Sequence, residues 1–326
     1  MSPNKTFEGQ QSEEGIEEVE KFSIDRILCP VDFSEFSSTA LRYAISLARH
    51  FSAQLYVQHA AQIPQGLLLA EGEPGAVKDW QGRLPRFEQY IANFLRENGV
   101  ETSGVKVLIN EGAALDCILE TISTQQIDLL VMGTHGRKGI RRVMVGSVAE
   151  EVIHQSPCPV LVISQPEKEF AYPEEPDALQ LKTIILATDF SVRSDRAVDY
   201  ALSWACEWAA KVVVFHAVSK LPPETGGMVD LFPEYNPYFE GQVSSAWQRI
   251  RHLVPESVER WCEVTHEIRH GNAKEEILKV AEEKDADLII IGARGAGMSV
   301  GPWGSVSSAV VREGRFPVLV VREARG

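Results

Sequence analysis

The stretch that decides the fold runs from residue 128 to residue 153, Asp128-Leu-Leu-Val-Met132, Gly133-Thr-His-Gly136-Arg-Lys-Gly-Ile-Arg-Arg-Val-Met-Val-Gly146, Ser147-Val-Ala-Glu-Glu-Val-Ile153. Its first part is an apolar run typical of a buried parallel strand, and its last part has apolar side chains at helical spacing. Glycines at 133 and 136 let the backbone turn tightly and bring N–H groups close to a ligand. Strand, glycine loop and helix in this order predict a cradle for a phosphate group.

The side chains of this glycine loop favour an anionic ligand. Ser147 is predicted to be the N-cap of the following helix, at the positive end of its dipole. His135 is equally compatible with a phosphate contact and with a solvent-exposed position. A purely structural turn is the alternative interpretation of the loop. Four cationic side chains support the anion site: Arg137, Lys138, Arg141 and Arg142.

Length and composition predict a protein of two domains without a nucleic-acid surface. The chain has 326 residues, of which 44% are hydrophobic and 24% charged, as in globular proteins with full-sized cores. A net charge of -14 argues against nucleic acid or an anionic membrane as the partner, because phosphate groups need a concentrated basic face. No apolar run approaches the roughly 18 residues of a membrane helix.

The cysteines and the first residues favour a cytoplasmic protein. Five cysteines are scattered without a C-x-x-C pair, so neither a disulfide framework nor a cysteine zinc site is predicted, and a reducing compartment is favoured. Residues 1–21 are rich in glutamate and contain no apolar segment of a signal peptide. We predict that they form a disordered acidic tail.

Strands and helices alternate along the chain, and the whole pattern occurs twice. Alternation predicts a parallel sheet with helices on both faces. The second copy follows at an offset of about 158 residues, so that Asp32 corresponds to Asp189, and Gly133 to Gly292. We predict domains at 22–164 and 182–323, joined by a linker at 165–181. The strands predicted for the first copy are 24–32, 55–60, 105–109, 128–132 and 159–163.

Three motifs in each copy resemble those of the universal stress protein family, in its tandem two-domain form. The family pattern G-x2-G-x9-G-[ST] fits Gly133, Gly136, Gly146 and Ser147. Val-Asp-Phe-Ser at 31–34 is similar to the first-strand aspartate motif, and Pro-Cys-Pro-Val-Leu-Val at 157–162 is typical of the closing strand. The resemblance implies an α/β fold of two tandem flavodoxin-like, or Rossmann-like (adenine nucleotide alpha hydrolase-like), domains, each a five-stranded parallel sheet with helices on both faces.

The resemblance also implies an ATP site at the carboxyl ends of the strands, with Mg²⁺ allowed beside the nucleotide. Asp32 and Ala60 would contact the adenosine, although Asp32 is equally compatible with capping the helix that follows it. The implied nucleotide-binding residues are Asp32, Ala60, Met132, Gly133, Gly136, Arg137, Gly146, Ser147 and Val148. Single-domain relatives form dimers, so we expect the two copies to form an intramolecular pseudo-dimer. The sequence does not decide whether the two-domain chain also forms a homodimer.

The second copy departs from the pattern in two ways. Its spacer, Ala296 to Trp303, is one residue short and contains no basic residue. We therefore predict that ATP binds mainly in the first domain, and that the second domain binds weakly, binds something less charged or acts as the pseudo-dimer partner. The corresponding second site comprises Asp189, Ala217, Gly292, Gly295, Gly304 and Ser305.

The histidines are not predicted to form a metal site. His266-Glu267-Ile268-Arg269-His270 matches H-E-x-x-H, but the repeat places it on a strand. At about 3.3 Å per residue the two histidines would be roughly 13 Å apart, too far to share an ion. His59 and His216 end matching strands, where a packed side chain is favoured over a catalytic one.

The motifs predict binding rather than turnover. There is no P-loop and no G-x-G-x-x-G after the first strand, and no general base stands out near the glycine loop. We expect a nucleotide-dependent stress-response or signalling module that hydrolyses ATP at most slowly. One alternative is an interaction scaffold that binds a protein partner or an apolar ligand independently of nucleotide. Another is an enzyme that hydrolyses or transfers nucleotide, with its general base on a loop.

Overall fold

The computed structural model describes residues 22–61, 84–100, 104–134, 146–164, 180–218, 237–256, 258–293 and 305–322. The predicted acidic tail, most of the linker and the larger part of both glycine loops lie outside these ranges. In the first half, which ends at residue 164, the elements are β1 (Arg26–Pro30), α1 (Glu35–Phe51), β2 (Gln54–Ala61), α2 (Leu84–Glu97), β3 (Val105–Glu111), α3 (Ala114–Gln125), β4 (Leu129–Gly133), α4 (Ser147–Gln155) and β5 (Val160–Ile163).

The second half, from residue 180, repeats this order. A short 3-10 helix (Val258–Arg260) is added before its third strand. The elements are β6 (Thr183–Ala187), α5 (Val192–Trp208), β7 (Lys211–Val218), α6 (Pro237–Arg251), β8 (Val264–His270), α7 (Ala273–Glu283), β9 (Leu288–Gly292), α8 (Ser305–Glu313) and β10 (Val318–Val321).

The ten strands in the described ranges belong to one sheet, in the order β3-β2-β1-β4-β5-β10-β9-β6-β7-β8. The five strands of each half are parallel, as predicted. The halves join where β5 and β10 pair antiparallel, with Leu161 opposite Leu319. The tandem α/β architecture expected from the sequence is confirmed.

Helices cover both faces of the sheet, because alternate strand residues enter two separate cores. In β1, Ile27 and Cys29 pack in a cluster with α1 and α2, whereas Leu28 packs in a second cluster with α3 and α4. Side chains alternate between faces along a strand, so a strand that is buried on both sides must be continuously apolar. This accounts for the uninterrupted apolar runs in the sequence.

The carboxyl-terminal ends of α1 and α5 meet across the boundary between the halves. The ring of His50 stacks on Trp208 with centroids 4.6 Å apart, and its Nε2 lies 3.0 Å from Oε1 of Glu207. Phe22 of the first half stacks on Tyr200 of α5, with centroids 4.0 Å apart. Side-chain packing therefore reinforces the strand pairing between the halves.

Candidate functional site

The strand order of the first half reverses between β1 and β4, which is the expected position of a ligand crevice. The chain proceeds from β1 outward to β2 and β3, then returns to β4 on the other side of β1. Open α/β sheets bind ligands at the carboxyl ends of the strands beside such a reversal. Asp32 follows β1, Ala60 lies near the end of β2, and Gly133 ends β4. The fold thus brings together three predicted site residues that are far apart in the sequence.

Asp32 holds a tight turn between β1 and α1. Its Oδ1 accepts hydrogen bonds from the backbone N–H of Ser34 at 3.1 Å and from the Ser34 hydroxyl at 2.6 Å. The residue between them, Phe33, has a φ of 64°, in the left-handed region that a non-glycine residue enters at a cost. Ser34 itself is the N-cap, because its side chain accepts from the N–H of Ser37. Asp32 therefore positions the cap residue and does not cap the helix directly.

Gly133 is required by close packing of α1 against β4. A Cβ atom at this position would lie 2.9 Å from backbone and Cβ atoms of Phe36, in the first turn of α1. Real Cβ atoms essentially never come so close, so a larger residue would push the helix away. This contact also places the Asp32 turn beside the start of the glycine loop. Phe36 was not identified from the sequence, because no local pattern marks a contact between distant elements.

Hydrogen bonds hold the two ends of the glycine loop together. The N–H of Gly146 donates to the carbonyl of Thr134 at 2.7 Å, and the N–H of Thr134 donates to Ile163 at 3.0 Å. The loop therefore leaves and returns at one point above β4 and β5. Residues 135–145, among them His135, Gly136, Arg137, Lys138, Arg141 and Arg142, lie outside the described residues.

Ser147 is not the N-cap of α4, contrary to the sequence prediction. Gly146 occupies the N-cap position with φ -59° and ψ 143°, and Ser147 is the first residue of the helix. The bond from Gly146 to Thr134 holds residue 146 in an extended conformation, and the helix starts at Ser147, one residue earlier than expected. No side-chain hydrogen bond caps α4.

Most described residues of the predicted site are accessible to solvent. Asp32, Ala60, Gly133 and Gly146 are partly exposed, and Ser147 and Val148 are exposed. An exposed valine at the start of a helix is suited to contact with a ligand. Met132 differs, because its side chain is 6% exposed and packs in the core with α3 and α4.

His59 and His216 are packed side chains, as expected. Nδ1 of His59 lies 2.7 Å from the carbonyl oxygen of Val31, and Nδ1 of His216 lies 2.8 Å from that of Thr188. Each ring lies against the phenylalanine of the preceding turn, Phe33 or Phe190, with centroids 4.6 and 4.3 Å apart. Burial lowers the pKa of His216 below its ordinary value.

The second half repeats the aspartate turn but surrounds it differently. Oδ1 of Asp189 accepts from the N–H of Ser191 at 3.0 Å and from its hydroxyl at 2.6 Å. Arg249 of α6 lies over the Phe190 ring, 4.5 Å from its centroid, and donates to the Phe190 carbonyl at 2.8 Å. An open groove of about 530 Å³ adjoins them, lined by Phe190, Gln248, Arg249, His252 and Leu253. Sequence reasoning missed Arg249, whose only local signal is its place on an amphipathic helix.

The remaining residues of the predicted second site are only partly described. Ala217 lies in β7 and Gly292 ends β9, in the positions of Ala60 and Gly133. Ser305 begins α8, but its side chain lies outside the described residues, as do Gly295 and Gly304. The carbonyl of Ala293, the counterpart of Thr134, accepts a hydrogen bond from the buried Ser307 hydroxyl at 3.1 Å.

The H-E-x-x-H sequence lies on β8, as the repeat predicted. Within the described ranges, no group of three or more His, Cys, Asp or Glu side chains is arranged to hold a metal ion. No helix in these ranges has the length and apolarity needed to cross a membrane.

The fold and the position of the crevice define a tandem, doubly wound α/β protein with a glycine loop after the fourth strand of each half. The chain belongs to the universal stress protein family, whose model matches residues 23–164 and 180–322. This confirms the resemblance inferred from the motifs.

Two relatives illustrate the match in sequence. A universal stress protein of Methanocaldococcus jannaschii is 34% identical over 157 residues, which are 44% of this chain and 84% of that protein. A universal stress protein of Mycolicibacterium smegmatis is 24% identical over 305 residues, covering 91% of this chain and 96% of that one. The second alignment extends through both halves.

A solved structure that spans both halves supports the fold. A universal stress protein from Archaeoglobus fulgidus matches 93% of this chain and 97% of its own, with a TM-score of 0.59 and 21% identity. A universal stress protein solved in complex with cAMP matches 44% of this chain and 98% of its own, with a TM-score of 0.30 and 25% identity.

Proposed function

We propose that this protein binds ATP in the crevice between β1 and β4 of its first half and acts as a nucleotide-dependent stress-response or signalling module in the cytoplasm. The observation that carries the proposal is the contact of Gly133 with Phe36, which brings the Asp32 turn and the start of the glycine loop to one crevice. The family motif in that loop is the reason for expecting ATP as the ligand.

Each part of the crevice suits a different part of ATP. The Asp32 carboxylate is a fixed acceptor for a hydroxyl or amino donor of the adenosine. The first N–H groups of a helix have no acceptor within the helix, so those of Ser147 and Val148 can donate to phosphate oxygens at the positive end of α4. The backbone of Gly136 and the cationic side chains of the loop, Arg137 among them, would complete the proposed phosphate site, and Mg²⁺ would enter as the counterion of the nucleotide.

We propose that the second half binds ATP more weakly. Its glycine loop has one cation, Arg294, where the first has four, and charge-assisted hydrogen bonds are the stronger class. The pairing of β5 with β10 supports a further proposal, that the two halves take the places of two subunits in a pseudo-dimer.

The first test identifies the ligand. The full chain is purified without added nucleotide and denatured, and the released small molecules are identified by chromatography and mass and quantified per chain. We expect about one ATP per chain, since binding sites of this kind are few per protein. A protein that is empty and takes up no ATP at millimolar concentration would disprove the proposal.

The second test locates the site with a matched pair of variants, Asp32→Ala and Asp189→Ala. The two carboxylates make the same hydrogen bonds to Ser34 and Ser191, so both changes disturb the local turn alike. Asp32→Ala should weaken ATP binding about tenfold or more, the effect of losing one charged hydrogen bond. Asp189→Ala should leave it nearly unchanged, and equal effects would contradict a site mainly in the first half.

The groove beside Phe190 supports a second candidate function. An apolar ring and leucine with a cationic side chain at one edge suit an apolar ligand or a partner segment that carries an anionic group. The protein would then be an interaction scaffold without nucleotide dependence. An empty first-half crevice together with partner binding that Arg249→Ala abolishes would favour this function over ATP binding.

A further inference from the structure

The acidic tail, residues 1–21, joins the described part of the chain at a contact with the second half. Phe22, where the described residues begin, stacks on Tyr200 of α5 with ring centroids 4.0 Å apart. The guanidinium of Arg196, one turn earlier in α5, lies 5.9 Å from the centroid of the Phe22 ring. The chain before Phe22 therefore departs from a point beside the first turns of α5.

The groove beside Phe190 opens at the start of the same helix. Phe190 lies two residues before α5 and lines the groove together with Leu253. Arg249 and His252 line it as well, and both are exposed. Phe190 precedes Arg196 by only six residues, so their Cα atoms are at most about 22 Å apart. The groove is therefore near the point from which the tail departs.

The arginines near the groove carry charges that no described carboxylate neutralises. Among the described residues, neither Arg249 nor Arg196 forms a salt bridge. Arg249 instead contacts the ring and the carbonyl of Phe190. In the first half, the ring of the corresponding Phe33 lies against two aromatic rings of α2. The second half thus places a cation beside this phenylalanine, and an anionic segment would complement it.

The tail has the composition that complements this groove. Residues 1–21 contain six glutamates against two lysines. Residues 13–20 have the sequence Glu-Glu-Gly-Ile-Glu-Glu-Val-Glu, in which Ile16 and Val19 stand among carboxylates. The two apolar side chains can contact the apolar part of the groove while the neighbouring glutamates pair with Arg249. The tail therefore matches both the apolar and the cationic character of the groove.

The tail is long enough to reach the groove of its own chain. Residues 13–20 lie within nine residues of Phe22, which is a chain length of up to about 30 Å at about 3.3 Å per residue. A segment tethered by so short a linker has an effective concentration in the millimolar range. Individually weak ion pairs and a small apolar contact are then sufficient for binding within one molecule.

We propose that the acidic tail binds in the groove beside Phe190 of its own chain, with Ile16 and Val19 against the apolar side chains and glutamates against Arg249. The bound tail covers the second half at the turn formed by Asp189. A ligand or partner of the second half must therefore displace the tail, which restricts access to that half. The inference does not depend on the proposed nucleotide site of the first half.

Photocrosslinking in the full-length chain tests the proposal. Ile16 is replaced by p-benzoylphenylalanine, the protein is irradiated at low salt and digested with trypsin, and linked peptides are identified by mass. We expect links from the tail to peptide 183–193 or peptide 252–260, which contain Phe190 and Leu253. In a mixture of nitrogen-15-labelled and unlabelled chains, the links should join peptides of one chain. Links between chains, links to other surfaces only, or no links would each overturn the proposal.

Charge reversal distinguishes binding in the groove from chance contact. Arg249→Glu should lower the yield of these links about fivefold, because an attraction between exposed charges becomes a repulsion. Glu17→Arg together with Glu18→Arg should restore the yield in the Arg249→Glu protein. Arg96→Glu, in the last turn of α2, is the matched control and should leave the yield unchanged.

Circular dichroism checks that each variant folds. Arg249→Gln, which removes the charge without reversing it, should give a yield between those of the unaltered and Arg249→Glu proteins. Equal yields from the Arg249→Glu and Arg96→Glu proteins would show that the tail does not bind through this cation and would overturn the proposal.

Discussion

At Gly133 the absence of a single side-chain carbon lets α1 approach β4. Gly133→Ala would place a Cβ 2.9 Å from the backbone of Phe36, which cannot move without its helix. We expect a loss of about 1–3 kcal/mol in the free energy of unfolding, as for other overpacked sites. Urea denaturation measures it.

Gly241→Ala is the matched control, because this glycine lies in α6 and a Cβ added to it would meet nothing within 4 Å. It should stabilise the protein by about 0.4–1 kcal/mol through the lower entropy of the unfolded chain. Equal effects of the two substitutions would show that the Phe36 contact does not require glycine.

His216 gives the protein a pH-dependent loss of stability. Burial is the main cause that lowers its pKa in the folded state below the ordinary value of 6.5. As the pH falls below 6.5, the unfolded chain binds a proton on this ring before the folded chain does, so the free energy of unfolding decreases. His216→Gln should remove this contribution of the ring. The free energy of unfolding should then decrease less as the pH falls through 6.5, as measured by urea midpoints. Parallel pH profiles of the two proteins would contradict the assignment.

At the scale of the element, the starts of α1 and α5 offer a matched comparison of helix capping. Ser34 and Ser191 both donate to an aspartate at 2.6 Å, but only Ser34 also accepts a hydrogen bond from the first turn of its helix. Ser34→Ala should therefore cost about 1 kcal/mol more than Ser191→Ala in the free energy of unfolding, the usual worth of an N-cap bond. Equal costs in urea denaturation would mean that the aspartate bond alone stabilises the turn.

At the scale of the whole molecule, β10 covers the edge of β5 that would otherwise be the edge of the first-half sheet. A fragment of residues 22–164 would expose an apolar strand edge, and such edges pair with other chains. We expect this fragment to form dimers, and the intact chain to show no association through this edge. Size-exclusion chromatography with light scattering measures both.

Val162→Pro in the fragment is the control for pairing at β5. The carbonyls of Pro159 and Ile163 accept hydrogen bonds from the N–H groups of Leu130 and Thr134, on the β4 side. Backbone groups of successive strand residues point to opposite sides, so the N–H of Val162 points toward β10. Proline lacks this N–H but is tolerated on an edge strand, and should therefore leave a folded monomer. A dimer that survives the substitution would mean that the fragment associates through another surface.

The sequence predicted the elements well where local chemistry decides them. Continuous apolar runs predicted the strands. The repeat predicted that the H-E-x-x-H sequence lies on a strand, β8, and not on the helix that a zinc site of this kind requires. The predicted start of α4 was wrong by one residue. The hydrogen bond from Gly146 to Thr134 fixes that start, and it forms between the two ends of the loop, which a local pattern does not show. The aspartate turn was recognised as a motif, but not its bonds to Ser34.

The sequence by itself determined the tandem α/β architecture, the family and the set of candidate nucleotide-binding residues, because periodicity and motif spacing are local and occur twice. Only the tertiary structure decided that β5 joins β10 and that α1 packs so closely on β4 that residue 133 must be glycine. These are contacts between distant residues, formed when whole elements pack, and a one-dimensional pattern contains no record of which surfaces will meet.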